Sequence, residues 1–226
     1  MGHQPPKATT PPFLRPLVAL DTTISHSLHT LTRSFTPRSL LLFLEFLADF
    51  RFTFPVLLSL FFVTPPFSPL RSHLLLPLLL CSLLDLLFIA TVKFLVRRSR
   101  PLYGNHDEYN AVVSVDHFSF PSGHSSRAFF TASLFYFSRL PILESMPDLK
   151  SRAHPAVTSL IRRWIGEDDI VAVNLLLFLV WTWALATAFS RITLGRHYVL
   201  DIFVGACLGV LEALFTLRFL SFQLLR

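Results

Sequence analysis

The chain has 226 residues, of which 52% are hydrophobic and only 15% are charged, and its net charge is +6. Soluble domains average about 25% charged residues, so this composition excludes a disordered chain and argues against an ordinary soluble domain. It is typical of an integral membrane protein. No basic run with interleaved aromatics lies outside the apolar segments. The positive charge therefore indicates an anionic membrane surface or an anionic substrate, and no nucleic acid partner.

The chain begins with a segment rich in proline, serine and threonine. Residues 1–38 contain a single acid, Asp21, and we expect them to form a polar, Pro-rich tail. The stretch from Leu17 to Leu31 is amphipathic and predicts a helix that lies in the membrane interface. Residues 39–226 are expected to form one transmembrane domain.

Five apolar segments follow, and a bilayer core needs about 20 apolar residues per helix. Their pattern predicts an all-α, multi-span transmembrane bundle with about five spans in addition to the N-terminal interfacial helix. The segment Val157–Trp164 is a second candidate for an interfacial helix. The five predicted spans are Leu40–Val63, Leu74–Val96, the short Ser125–Leu140, Ile170–Phe189 and Val199–Leu220.

Unusual polar residues gather at four helix ends that five spans would place on the same side of the membrane. These are the end of span two, the start of span three, the end of span four and the start of span five. The polar residues found there are Lys93, Arg97, Arg98, Arg100, Ser122, His124, Ser190, Arg191, Arg196, His197 and Asp201.

Three of these cations, Lys93, Arg100 and Arg191, are suited to binding a polyanion if they converge. Arginine recognises phosphate oxygens with a planar pair of donors, and lysine adds a point charge. Pro121-Ser122-Gly123-His124 precedes a helix, and a glycine at a helix N-terminus lets backbone N–H groups approach an anion. The Ser122 hydroxyl is a further donor. Together these groups predict a phosphate site that needs no metal.

Two histidines supply candidate reactive groups. His197 and Asp201 are four residues apart, so they share one helix face. A carboxylate bonded to one ring nitrogen fixes the tautomer and leaves the other nitrogen available as a nucleophile. His124, from another helix start, is placed to protonate a leaving alkoxide and then to activate water.

The other polar residues near the spans have simpler interpretations. Arg97 and Arg98 are predicted to anchor lipid headgroups. Asp49 and Arg51 are expected near a helix end or in ion pairs, and Asp85 is expected to steady its helix or to pair with another span. Glu45 and Glu212 are also expected to be structural. Cys81 and Cys207 are interpreted as small core residues.

The candidate residues form three motifs along the chain. These are Lys93-x6-Arg100-Pro101 (residues 93–101), Pro121-Ser122-Gly123-His124 (121–124) and Ser190-Arg191-x5-His197-x3-Asp201 (190–201). This pattern resembles the three-part signature of the type 2 phosphatidic acid phosphatase superfamily, over roughly residues 85–215. The resemblance implies an all-helical fold, a phosphohistidine intermediate, and phosphoester hydrolysis without metal or cofactor. It also implies that His197 is the nucleophile, Asp201 its orienting residue and His124 the acid. The residues implied to hold the phosphoryl oxygens are Lys93, Arg100, Ser122, Gly123 and Arg191.

The residues around the motifs resemble one branch more closely. Ser114–Phe120, Ser126–Ala128 and Leu194–His197 look like the branch that contains the polyisoprenoid (presqualene) diphosphate phosphatases and the plant beta-type lipid phosphate phosphatases. The expected function is an integral-membrane lipid phosphatase whose partners are a phosphorylated lipid and the bilayer. Isoprenoid diphosphates and phosphatidate both fit the predicted cation-rich site. The endoplasmic reticulum is the expected membrane, with a plastid membrane as the alternative.

Three other functions were compared with this one. A catalytically silent membrane scaffold would be expected to lose a histidine or a cation of the site, and this chain keeps them. A transporter of anionic lipid would not need the pair His197 and Asp201. A magnesium-dependent phosphatase would need carboxylate ligands, and the chain has no D-x-D pair.

Overall fold

A computed structural model provides the fold and describes residues 12–104 and 117–219. Every regular element in these residues is a helix, which confirms the predicted all-α class. A 3-10 turn, Pro12–Leu14, precedes the first helix, and a π-helical turn, Arg71–Leu75, runs directly into the fourth. The helices are α1 (Arg15–Thr32), α2 (Arg38–Leu47), α3 (Phe50–Val63), α4 (Leu76–Val96), α5 (Gly123–Phe137), α6 (Arg139–Arg152), α7 (Pro155–Trp164), α8 (Asp169–Thr193) and α9 (Val199–Phe219).

Three of the described helices are long and apolar enough to cross a membrane: Arg71–Val96, α8 and α9. The second and fourth predicted spans, Leu74–Val96 and Ile170–Phe189, lie within the first two of these helices, and the fifth, Val199–Leu220, starts at the same residue as α9. The helices α2 and α3 form a fourth such segment if they are counted together. The helix α5 lies where the third span was predicted, but its 15 residues extend only about 22 Å. The described residues therefore contain three, or up to four, helices of spanning length, where the sequence predicted about five.

The first predicted span is not one straight helix. It breaks between α2 and α3, which are bent by 50°. The break occurs because Asp49 caps a new helix: its carboxylate accepts the Arg51 backbone N–H at 2.8 Å and pairs with the Arg51 guanidinium. The Ala48 carbonyl at the break accepts from Arg127 of α5 at 3.0 Å. The Arg127 guanidinium also pairs with buried Asp85 of α4 at 3.2 Å. Asp85 therefore does pair with another helix, as one of its two interpretations proposed.

The helix α5 lies at the centre of the bundle and packs against α8 and α9. Two glycines one turn apart on α9, Gly205 and Gly209, let it approach α5 at backbone distance. A side chain at Gly205 would overlap the Ser122 carbonyl oxygen, and one at Gly209 would overlap the Ser126 carbonyl oxygen. This close approach positions the start of α5 beside the start of α9.

The largest cluster of buried apolar residues lies toward the opposite end of these helices from the polar residues. Many of its members come from the first half of α4, the second half of α5 and the first half of α8, including Leu78, Phe130, Leu134 and Val173. Cys81 belongs to this core, as predicted. The interpretation of Cys207 as a core residue was wrong, since it is exposed. Because α9 turns its two glycines toward α5, the residue midway between them faces away.

Both amphipathic segments form helices. The predicted helix of Leu17–Leu31 is α1, and that of Val157–Trp164 is α7, whose first turn is capped by the His154 side chain.

We expect Gly209→Val to destabilise the fold, because a β-branched side chain would force α5 and α9 apart. Overpacking of this kind costs about 1–3 kcal/mol. Thermal unfolding of the purified protein in detergent measures the effect. Cys207→Val, on the exposed side of the same helix, is the matched control and should leave Tm within a degree or two of the wild type. Equal Tm values for the two variants would contradict the close approach.

Candidate active site

Hydrogen bonds to backbone carbonyls join the three sequence motifs. The Ser122 N–H donates to the Asp201 carbonyl at 3.0 Å, which ties the second motif to the third. An Arg100 guanidinium nitrogen donates to the Arg196 carbonyl at 3.2 Å, which ties the first motif to the third. The four helix ends predicted to share one side therefore meet in one place.

The first motif is shaped by the end of α4. Arg97 adopts a left-handed conformation with φ of 52°, and its N–H donates to the Lys93 carbonyl at 2.9 Å, which ends the helix. The chain then pairs with the segment before the second motif, since the Ser119 N–H donates to the Arg98 carbonyl at 2.8 Å. Residues 114–116, which belong to the branch-specific resemblance, lie outside the described residues.

The second motif forms the start of α5. The Ser122 side chain accepts from the Ser125 N–H at 3.4 Å and acts as the N-cap. Gly123 is the first helical residue, and a methyl group there would touch Ile89 of α4 at 3.2 Å. The next residue, His124, has its Nε2 atom buried, and no hydrogen-bond partner for that atom exists among the described residues.

The third motif forms the turn between α8 and α9. Gly195 has φ of 66°, which permits the reversal. The His197 Nδ1 atom lies 2.7 Å from the Ser119 carbonyl oxygen and 3.8 Å from the nearer Asp201 carboxylate oxygen. A carbonyl only accepts hydrogen bonds, so Nδ1 carries the proton and Nε2 keeps its lone pair. In this geometry the Nδ1 hydrogen bond goes to a backbone carbonyl, and the Asp201 carboxylate, at 3.8 Å, lies beyond hydrogen-bond distance.

The predicted phosphate-binding cations surround both histidines. Lys93, Arg100 and Arg191 are buried, and all three act electrostatically on His124 and on His197. Burial lowers the pKa of His197 well below its usual value, and the cations lower it further, with Arg100 acting most strongly. The His197 imidazole is therefore neutral at pH 7, which is the state that a nucleophile requires.

Two further charged residues contact the site. Glu45, expected to be structural, lies 2.9 Å from the Arg191 guanidinium, which has no exposed surface. Arg98 was predicted to anchor a lipid headgroup, and this is wrong: its guanidinium pairs with Asp201 at 2.7 Å and with Asp21 at 2.6 Å. Arg97 remains exposed, with its guanidinium 4.4 Å from the Phe94 ring centre.

Neither Glu45 nor Arg98 was recognisable from the chain. Both contacts join residues that are far apart in the sequence, and no spacing rule connects them. Among residues 12–104 and 117–219, no group of three or more His, Cys, Asp or Glu side chains is placed to hold a metal ion.

The PAP2 superfamily model matches residues 74–224, which contain all three motifs. The chain belongs to the PAP2 superfamily, which is the type 2 phosphatidic acid phosphatase superfamily that the motifs resemble. It is 48% identical to an Arabidopsis thaliana protein named "Probable lipid phosphate phosphatase beta" over 217 residues, which cover 96% of each protein. This agrees with the resemblance drawn from the motifs and from the residues around them.

Two crystal structures share the PAP2 fold of this chain. One is a transmembrane PAP2-type phosphatidylglycerolphosphate phosphatase from Bacillus subtilis, with a TM-score of 0.64 and 20% identity over 93% of this chain and 89% of that one. The other is LpxE from Aquifex aeolicus, with a TM-score of 0.51 and 23% identity over 85% of this chain and 94% of that one. At these identities the likeness concerns the fold alone.

We expect Glu45→Gln to destabilise the substrate-free protein, because it leaves the buried Arg191 guanidinium without a countercharge. Removing one partner of a buried ion pair costs about 3–5 kcal/mol. Tm measured in detergent should fall. Orthovanadate, an anion of phosphate shape, should raise Tm more in the variant than in the wild type, because it supplies the countercharge that the variant lacks.

Glu144→Gln is the matched control for this change, because Glu144 is exposed on α6. Its Tm should equal that of the wild type. A Glu45→Gln protein with the same Tm as this control would show that the ion pair contributes nothing.

Proposed function

We propose that the protein is a lipid phosphatase that hydrolyses a phosphate or diphosphate ester of a membrane lipid through a phosphohistidine intermediate and without a metal. The observation that carries this proposal is the environment of His197: a buried, neutral imidazole whose Nε2 lone pair is available among three buried cations. The name of the Arabidopsis relative, a lipid phosphate phosphatase, supports the same activity.

In the first half of the reaction, His197 Nε2 attacks the terminal phosphorus atom, a P–N bond forms, and the P–O bond to the leaving group breaks. The leaving group is the lipid alcohol for a phosphate ester and the lipid monophosphate for a diphosphate ester. His124, kept protonated by the negative charge of the bound substrate, donates its proton to the departing oxygen. In the second half, His124 accepts a proton from water, the water oxygen attacks phosphorus, and the P–N bond breaks to release phosphate. General acid–base catalysis of this kind contributes about 10²–10⁴-fold to the rate.

The negative charge of the phosphoryl oxygens is balanced by fixed groups of the chain. Lys93, Arg100 and Arg191 supply the cations, and Ser122 and Gly123 supply a hydroxyl and backbone N–H groups at the start of α5. Donors held in place before the reaction stabilise developing charge without reorganising, which is usually the largest contribution to catalysis.

We propose that the lipid tail binds in an apolar groove near this site. A groove of about 600 Å³ runs between α4 and α9, and its wall begins at Thr91, two residues before Lys93. Its other lining residues are mainly apolar, including Leu84, Phe88, Leu208 and Phe215. A phosphate bound by the cations would thus leave its hydrocarbon chain in an apolar surrounding.

We propose that α5 is also embedded in the membrane, which brings the number of membrane-embedded segments to five, and that α1 and α7 lie in the interface.

The membrane in which this chemistry takes place is a further part of the proposal. We infer the endoplasmic reticulum, with a plastid membrane as the alternative. The apolar groove and the cation cluster suit an isoprenoid diphosphate and phosphatidate alike.

We expect His197→Ala to lower lipid phosphate hydrolysis by about a thousandfold or more, since loss of a nucleophile removes the covalent route. Membrane insertion and the elution volume in detergent should not change. His154→Ala, at an exposed histidine that caps α7, is the control and should keep full activity. A fully active His197→Ala protein would refute the phosphohistidine mechanism.

We expect phosphate release by the purified protein to continue in EDTA, because the chain supplies the charges that a metal would otherwise provide. Farnesyl diphosphate and phosphatidate should be compared under these conditions. Faster hydrolysis of the diphosphate assigns the protein to isoprenoid substrates, and faster hydrolysis of phosphatidate assigns it to glycerolipids. Activity lost in EDTA and restored by magnesium would contradict the metal-free site.

A further inference from the structure

One stripe of polar residues on the helix α1 faces the protein. Asp21, Ser25 and His29 are buried, and Thr32 continues the same stripe at helical spacing. The exposed surface of the helix carries large apolar residues, namely Leu17, Leu20, Ile24 and Leu31, together with polar residues such as Thr23 and Ser27. A stripe of polar groups turned inward requires partners inside the protein, since an unpaired buried polar group costs free energy.

The first partners are the backbone N–H groups at the start of α9. The Asp21 carboxylate accepts from the Leu200 N–H at 2.9 Å, and the Ser25 hydroxyl oxygen accepts from the Val199 N–H at 2.9 Å. A helix begins with N–H groups that have no partner within the helix, and a capping side chain normally precedes them in the chain. Here the caps come from a helix more than 170 residues away.

The next partners lie at the end of α8. The His29 Nδ1 atom is 2.9 Å from the Thr193 carbonyl oxygen, and the hydroxyl groups of Thr32 and Thr193 are 3.0 Å apart. The helix α1 therefore holds both sides of the turn that carries His197.

A chain of charges links the same helix to the reactive residues. The Arg98 guanidinium donates one N–H to Asp21 and another to Asp201, and it stacks 4.0 Å from the Tyr198 ring centre. The Asp201 carboxylate also accepts from the Tyr198 N–H at 2.9 Å. The side chains of Asp21 and Asp201 are 4% and 0% exposed, and that of Arg98 is 15% exposed, so water screens this chain of charges only weakly.

We infer that Asp21 is a positioning residue for the nucleophile: through Arg98 and the start of α9 it fixes Asp201 and, with it, His197. The inference rests on the proposed function. Asp21 shares the charge of Arg98, so the Asp201 carboxylate keeps negative charge to stabilise the His197 imidazole as it gains positive charge on attacking phosphorus. The helix α1 then belongs to the catalytic unit, although it precedes the region matched by the family model and was expected to lie in a separate tail.

The test compares Asp21→Asn with Asp21→Glu in the full-length protein in detergent, with farnesyl diphosphate and phosphatidate as substrates. Asparagine keeps an acceptor for the Leu200 N–H and removes the charge that pairs with Arg98. We expect kcat to fall about ten- to a hundredfold, because a misplacement of about 1 Å at a reacting group has an effect of that size. KM should stay within about twofold, since the phosphate-binding cations are untouched. Asp21→Glu should recover most of the rate.

A second pair of variants keeps the test decisive if Asp21→Asn does not fold. Ser25→Ala removes the hydroxyl group that accepts from the Val199 N–H, and Ser27→Ala removes an exposed hydroxyl group two residues later on α1. Only Ser25→Ala should lower kcat. Amide hydrogen exchange of residues 198–201, followed by mass spectrometry, should speed up in Ser25→Ala and not in Ser27→Ala.

The possible outcomes separate the two proposals. Wild-type kcat and wild-type exchange in Asp21→Asn or Ser25→Ala would overturn the inference. So would a parallel loss of kcat, substrate affinity and Tm that Asp21→Glu does not repair, because that pattern describes a purely structural role. A wild-type protein that hydrolyses neither lipid would refute the proposed function, while the exchange measurement would still decide whether α1 holds the start of α9.

Discussion

The backbone contact between α5 and α9 is the constraint on which the site depends. Gly205 and Gly209 leave no side chain between the two helices, so the Ser122 N–H reaches the Asp201 carbonyl directly. The two motifs that bear the histidines are thereby joined through main chain, whose position varies less than that of a long side chain. The cations come from the ends of α4 and α8 and complete the arrangement around this fixed centre. A bundle with larger residues at these two positions would carry the same motifs without bringing them together.

Three cations inside the protein each contact an acid on another segment of the chain. Arg127 joins Asp85 and the Ala48 carbonyl, Arg191 joins Glu45, and Arg98 joins two carboxylates. Each pairing takes a cation and its partner from different elements, so each also specifies how two helices sit against one another. Removing a charge from water is costly in an apolar environment, and only a well-placed partner offsets that cost. The polar residues of the spans therefore contribute to the architecture as well as to the chemistry.

Much of the fold could be read from the chain, because long apolar segments and helix caps are local signals. The apolar runs predicted α4, α8 and α9. The break after Ala48 was not predicted, because it depends on Asp49 acting as a cap and on Arg127, which lies far along the chain. The motif residues were recognisable since their spacing is itself a signature. The role of Arg98 was misjudged and the partner of Glu45 was not foreseen, since Asp21, Asp201 and Arg191 are brought to them only by the tertiary fold. The inward-facing stripe of α1 carries no local sign of what it contacts.

The inward-facing polar stripe of α1 also has a consequence for the order of assembly. Its partners at Thr193, Val199 and Leu200 follow it by more than 160 residues. A ribosome produces α1 first and α9 much later, and segments generally fold as they emerge. During most of synthesis the apolar side of α1 can settle on the membrane while its polar stripe remains in water. The proposed reactive centre is therefore completed only when α9 has been inserted and α1 contacts its start, so an unfinished chain lacks the assembled site.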